Sequence, residues 1–236
     1  MATEKIMFTF EYKGKKFSDE EVSKRIEDAI SLESDVNKRM LLTNLSHTRL
    51  RVLNSLSSDI QEICDCLFLK KYMAALTLTN LLFETMVKLT LVYHEADGRT
   101  IDDGYEFENI YLEELNKYGK KNLGENIETL YKKGIITIDG KNRLLDLKDL
   151  FRNPYSHGSN NHYIENATTT IYKGQLGSEK IEECKVNVTG NPDILFDARR
   201  TFVKRMGLSY FVELVTYIEI LDKELRKLYD KSDKSE

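Results

Sequence analysis

The sequence predicts an all-α, mainly helical chain, arranged as an antiparallel helical bundle with a peripheral β-hairpin and a short N-terminal strand. Three observations lead there. Only two prolines, Pro154 and Pro192, occur in 236 residues, so little interrupts a helix. Apolar residues recur at helical spacing through Ile60, Ile63 and Leu67, then through Met73, Leu76, Leu78, Leu81, Leu82, Met86 and Leu89, and again from Phe202 to Leu228. Strand-like alternation is confined to short stretches, chiefly the Thr- and Val-rich segment 167–189.

In chain order, Ile6, Phe8 and Phe10 alternate with Met7, Thr9 and Glu11, which predicts a strand ending at Lys13-Gly14-Lys15. Ser18 with Glu21 forms a capping box, so a helix should begin there and turn Val22, Ile26 and Ile30 inward. A second helix is expected from Val36 through Leu56, with Met40, Leu41, Leu45 and Val52 on its apolar face. Ser57-Ser58-Asp59 then signals a fresh N-cap. The run from Asp59 to Tyr93 reads as two antiparallel helices with a tight turn at Lys70-Lys71, the second closed by Gly98 after Ala96-Asp97.

Helices are predicted at 106–118 and 123–133, stopped by Gly119 and Gly134, and another through Leu144, Leu145, Leu147, Leu150 and Phe151. A β-hairpin follows at 167–189. Asn191-Pro192-Asp193 reads as a turn ahead of one long helix over 197–229. The expected organisation is an N-terminal extension at 1–57, a helical domain at 58–230 carrying the hairpin as an insertion, and a charged tail at 231–236.

Hydrophobic residues make up 41% and charged residues 31% of the chain, enough for a sizeable core under a soluble surface. The net charge of −4 argues against a nucleic-acid binder acting through its global field, so any RNA contact has to come from a local patch. Cys64, Cys66 and Cys184 form no metal-binding spacing, and an odd count without a signal peptide fits reduced thiols and a cytoplasmic location. Lys70, Lys71, Glu84 and Lys88 interrupt the most apolar stretch, so no membrane association is expected. Scattered glycines make no phosphate loop, and His94-Glu95 with Asp97 is a poor metal set, leaving no cofactor or metal implied.

The residues with the most chemistry are Arg152-Asn153-Pro154-Tyr155-Ser156-His157, followed at once by Gly158. Arginine can hold a phosphate through two parallel hydrogen bonds, and histidine exchanges a proton near neutral pH. Those groups suffice for metal-free cleavage of a phosphodiester. On a regular helix Arg152 and His157, five positions apart, point about 140° from each other, so a site requires distortion around Pro154. Proline supplies one: it cannot donate to the Leu150 carbonyl and biases Asn153 away from helical angles. The plain alternative is a helix end, with Arg152 favoured by the helix dipole and His157-Gly158 as a stop.

These six residues resemble the Arg-x4-His signature of the HEPN superfamily, in its form with Asn after Arg. The order of elements is similar too: a helix pair holding Tyr72-Met73-Ala74-Ala75 and Phe83-Glu84-Thr85-Met86-Val87-Lys88, the motif helix, then a final helix. The likeness covers residues 59–229 in architecture and the six motif residues in sharp sequence. It implies a metal-independent endoribonuclease, commonly a homodimer whose two motifs face one RNA-binding cleft. Carried onto this chain, His157 would be the general base or acid at the ribose 2′-hydroxyl and Arg152 would stabilise charge on the scissile phosphate. Asn153 would orient them, giving a 2′,3′-cyclic phosphate and a 5′-hydroxyl. Toxins and antiphage effectors are frequent in the family, so an antitoxin or regulatory protein is a further expected partner. Inactive family members imply the alternative, a non-catalytic module that binds a protein or a nucleotide. A helical adaptor without a ligand is a third reading.

Supporting positions follow. Glu84 sits among apolar residues, where an ionised carboxylate needs a partner; Arg152 across the bundle and Lys88 at i+4 both qualify. Tyr155 and Ser156 either contact RNA or fill the turn, and His162 could assist catalysis from the loop. Basic patches are sought at Arg199-Arg200 with Lys204-Arg205, where Arg200 and Lys204 share a helix face, and at Lys141, Arg143 and Lys148.

Overall fold

A computed structural model of the chain describes residues 35–97, 105–156, 168–174 and 181–232. The expected N-terminal strand, the helix from Ser18, Gly98 and the end of the tail lie outside these described residues. Within them the protein is mainly helical, with one two-stranded antiparallel hairpin.

The first helix, α1, spans Asp35–Ser46, ten residues short of the expected end at Leu56. Asp222 explains the difference. Its buried carboxylate accepts hydrogen bonds from the backbone N–H groups of Arg51, Val52 and Leu53 at 2.8–3.2 Å, which satisfies a non-helical turn there. A short 3₁₀ turn, Asn54–Leu56, then runs into α2, Ser57–Phe68, whose N-cap makes no side-chain hydrogen bond. The predicted break at Ser57 is present; the expected side-chain cap is not.

The tight turn at Lys70-Lys71 is also present, separating α2 from α3, Tyr72–Ala96. Lys70 takes a positive φ of 56°. At the far end of α3 the left-handed cap is Asp97, φ 48°, one residue ahead of the predicted Gly98. α3 is the central element: Leu76, Leu82, Phe83, Met86, Val87, Leu91 and Val92 are all buried, each contributing roughly 1.5–3 kcal/mol. By length and composition α3 could cross a membrane, contrary to the sequence reading, since its most apolar window has a mean hydropathy of 1.3. In this fold 67% of that window is buried inside the protein. Met40, Met73 and Leu81, expected in the core, are exposed.

Helix α4, Tyr105–Gly119, packs on α3. Helix α5, Leu123–Lys132, begins with a capping box between Asn122 and Glu125 and stops at Gly134, φ +72°, a conformation glycine adopts without strain. Thr137 caps α6, Ile138–Leu147. A π-helical turn, Lys148–Arg152, then interrupts the α geometry before the short α7, Asn153–Ser156. The hairpin pairs β1, Thr168–Gly174, with β2, Ile181–Asn187, in the register Thr168 opposite Asn187 and Gly174 opposite Ile181.

The last helix, α8, spans Pro192–Ser232. Its start is earlier than expected because Asn191-Pro192-Asp193, read as a turn, is the helix cap. The Asn191 side chain accepts from the N–H groups of Asp193 and Ile194, and proline at the first helical position loses no bond. The principal packing of α8 is on α3. Asn80 meets Tyr210 and Tyr93 meets Tyr229, so α3 and α8 run in the same direction. The bundle is therefore mixed rather than wholly antiparallel.

Candidate functional site

Residues 148–156 form the candidate site, and their backbone is set by Pro154. The N–H of Asn153 reaches back five residues to the Lys148 carbonyl, and Pro154, which is buried, has no N–H to offer Leu150. A wider turn absorbs the missing bond. A distortion is present, but it lies over Lys148–Arg152, ahead of the proline, and Asn153 keeps helical angles, φ −62° and ψ −46°, contrary to the bias expected before a proline.

The turn is anchored from below. Phe151 is buried and stacks on Tyr210, ring centroids 4.2 Å apart and 5° from parallel, and also meets Phe202 at 5.6 Å. Asn80 donates to the Phe151 carbonyl at 3.4 Å and accepts from the Tyr210 hydroxyl at 2.9 Å. Burial raises the Tyr210 phenol well above its ordinary range, with Glu213 and Glu84 adding to the rise and Arg152 opposing it. Neither Asn80 nor Tyr210 was picked out by sequence reasoning; the signal is an amide on the buried face of an otherwise apolar helix.

Above this floor the polar side chains form a chain of ion pairs and hydrogen bonds. Arg152 donates from Nε at 2.9 Å and from Nη2 at 2.8 Å to one oxygen of Glu84, joining the motif to α3. Its Nη1 donates to Asn153 Oδ1 at 3.2 Å, and Asn153 Nδ2 donates in turn to Asp149 at 2.9 Å. Lys88 lies 3.9 Å from the other Glu84 oxygen. Both partners considered for Glu84 are present, and Arg152 is the closer. The pair is partly accessible, with side-chain exposures of 19% for Arg152 and 28% for Glu84.

The structure thus brings Arg152, Asn153 and Glu84 together. Tyr155 is turned away: its hydroxyl donates to the Arg199 carbonyl at 3.3 Å, and burial holds its phenol above the usual range. The backbone of Ser156 ends α7, while His157 and His162 lie outside the described residues. Lys148 is ion-paired with Asp149 at 2.9 Å rather than presented as part of a basic patch. The other members of that patch are also engaged. Lys141 pairs with Glu128 at 3.2 Å and lies over the Tyr131 ring. Arg143 is buried against Glu213, donating from Nε to Oε1 and from Nη2 to Oε2, the latter at 2.6 Å. Arg200 and Lys204 are exposed on α8, and Lys204 lines a separate cleft with Lys38, Arg39 and Lys70.

Of the His94-Glu95 pair, Glu95 has structural contacts. Glu95 accepts from Tyr118 at 2.7 Å and pairs with Lys133 at 2.7 Å, and burial lowers the His94 pKa. Among the described residues no group of three or more His, Cys, Asp or Glu side chains is placed to hold a metal. Burial pushes the Cys64 thiol up to about 12, making it an inert core residue.

Comparison with known protein families, with curated proteins and with solved structures gives no match. The chemistry of the site therefore rests on its own residues. A guanidinium is fixed in place by a carboxylate from another helix, beside an amide, on a turn held rigid from beneath. Such an arrangement is suited to an anion, because the cation is positioned before the ligand arrives.

Proposed function

We propose that the chain is a metal-independent endoribonuclease of the HEPN type, cytoplasmic and acting as a homodimer. The observation that carries this reading is the Arg152–Glu84 pair, which fixes the motif arginine on α3 with Asn153 alongside. In this mechanism His157 takes the proton from a ribose 2′-hydroxyl, and the oxygen attacks the adjacent phosphorus. Arg152 neutralises charge growing on the non-bridging oxygens, and the 5′-oxygen leaves with a proton. The RNA ends in a 2′,3′-cyclic phosphate and a 5′-hydroxyl, so no water or metal enters the first step. Glu84 is a positioning residue, fixing which edge of the guanidinium faces the substrate.

Exposed Met73 and Leu81, about two turns apart on α3 ahead of Glu84, favour a dimer that buries this face beside the motif. A role as a toxin or antiphage effector, restrained by an antitoxin or regulatory protein, fits such an activity. The second reading, a non-catalytic binding module, is favoured by the engagement of Lys148 with Asp149, which removes a cation from the motif surface.

The two separate experimentally. Wild type incubated with total RNA in EDTA is expected to leave cyclic-phosphate ends, with Arg152→Ala and His157→Ala each lowering the rate by about 10²-fold or more. Equal rates for wild type and His157→Ala would leave the binding module as the better reading.

A further inference from the structure

We propose that the cleft between α1, the α2–α3 turn and α8 is a phosphate-binding site for a single RNA strand, separate from the Arg152 motif. Lys38 and Arg39 enter from α1, Lys70 from the turn and Lys204 from α8, around a cleft of about 70 Å³. Among the described residues no carboxylate lines it. In a chain with a net charge of −4, Lys38 and Arg39 of α1 and Lys204 of α8 are brought to one cleft, where like charges repel one another. Lys38, Arg39 and Lys204 make no ion pair among the described residues. That sets them apart from the lysines near the motif.

The turn residue sharpens the assignment. Lys70 holds a positive φ of 56°, a conformation that glycine adopts without strain and a β-carbon does not favour. Glycine there would ease the backbone and remove a cation from the cleft. Around these charges lie leucines from α1, α2 and α8, together with Tyr72 and Phe68, the latter exposed. Cations that track phosphates beside aromatic side chains on which a base stacks are the ingredients of single-strand binding.

Placement favours a strand over a lone nucleotide. Tyr72 opens α3 and Glu84 lies further along the same helix, about 18 Å away at 1.5 Å per residue. A polymer can occupy the cleft while another of its phosphates meets Arg152; a mononucleotide cannot. The ligand class rests on the RNA reading above, but binding at the cleft does not depend on cleavage.

The test is anisotropy titration of a labelled 12-nucleotide single-stranded RNA with the full chain across a salt series in EDTA. A 2′-O-methyl group at every position blocks the 2′-oxygen nucleophile and prevents cleavage during measurement. The double variant Arg39→Ala/Lys204→Ala is expected to bind at least about 10-fold more weakly, with a salt dependence shallower by about 1.4 in log–log slope. Lys223→Glu, an equal change of net charge on an exposed residue of α8, should shift affinity by less than about 2-fold. All altered side chains are exposed, and matching melting curves establish that the variants fold. Equal binding by wild type and double variant overturns the proposal, as does an equal loss in Lys223→Glu. Full displacement of the RNA by adenosine monophosphate at similar concentration reassigns the cleft to free nucleotides. Cyclic-phosphate production is scored separately, so loss of strand binding at the cleft and failure of the nuclease reading are distinct results.

Discussion

Two arginine–glutamate pairs tie the segment 138–156 to the bundle, and they differ in almost everything except composition. Arg143 of α6 meets Glu213 of α8, with side-chain exposures of 9% and 2%. Arg152, on the π turn, meets Glu84 of α3, with exposures of 19% and 28%. Tyr210 lies near both: burial raises its phenol, Glu213 and Glu84 add to the rise, and Arg152 opposes it. Burial pushes the Glu213 carboxyl upward while Arg143 pulls it back. The difference separates two uses of one interaction. Out of water, each member of the inner pair is needed to neutralise the other, so that pair belongs to folding. Nearer the surface, the outer pair can hold a guanidinium in place and still let an anion approach.

Breaking the inner pair should have the largest effect. Arg143→Ala leaves Glu213 buried without its partner, and a loss of about 3–5 kcal/mol is expected in urea unfolding. Replacing both members by methionine should recover most of it, because the burial of charge is then removed with the attraction. If Arg143→Ala unfolds at the wild-type midpoint, the inner pair is not structural and the contrast collapses.

How much of this was legible in the sequence depends on the distance over which each signal acts. Helices with a continuous apolar face were readable, and so was the turn at Lys70-Lys71, because these depend on neighbours along the chain. The end of α1 was not, since Asp222, remote in sequence, takes the N–H groups of Arg51, Val52 and Leu53. Arg143 looked like part of a basic patch because its partner Glu213 lies 70 residues away in sequence. Within the site, Arg152, Asn153 and Glu84 were found from residue type, and Pro154 announced a distortion. Asn80 and Tyr210 went unnoticed because nothing local marks a buried amide that holds up a carbonyl 71 residues away.

The outer pair predicts an intermediate effect of a different kind. Glu84→Gln keeps the shape but removes the charge that fixes Arg152, and a partly exposed pair contributes only about 1 kcal/mol or less. Unfolding should therefore change little, and high salt should narrow the difference further. Turnover is expected to fall about 10-fold, mainly in kcat, because the guanidinium is less well placed where charge develops. A purely structural role would instead lower the urea midpoint and spare kcat.

The smallest expected effect on stability is also the one that asks why the outer pair exists. Pro154→Ala restores an N–H that can donate to the Leu150 carbonyl, so the π turn can revert to α geometry. Two modest terms oppose each other: alanine adds a helical bond, and the unfolded chain gains freedom that proline had removed. Stability should stay within about 1 kcal/mol of wild type. A reverted turn changes the rotation between α6 and Arg152, and the guanidinium then loses its alignment with Glu84. A double-mutant cycle between Arg152→Ala and Glu84→Gln reads this directly: the coupling should fall toward zero when Pro154 is replaced. If it keeps its wild-type value, Pro154 does not set the turn. Phe151, stacked on Tyr210 with its carbonyl held by Asn80, then fixes the geometry from beneath, and the proline only tolerates a bend that packing imposes.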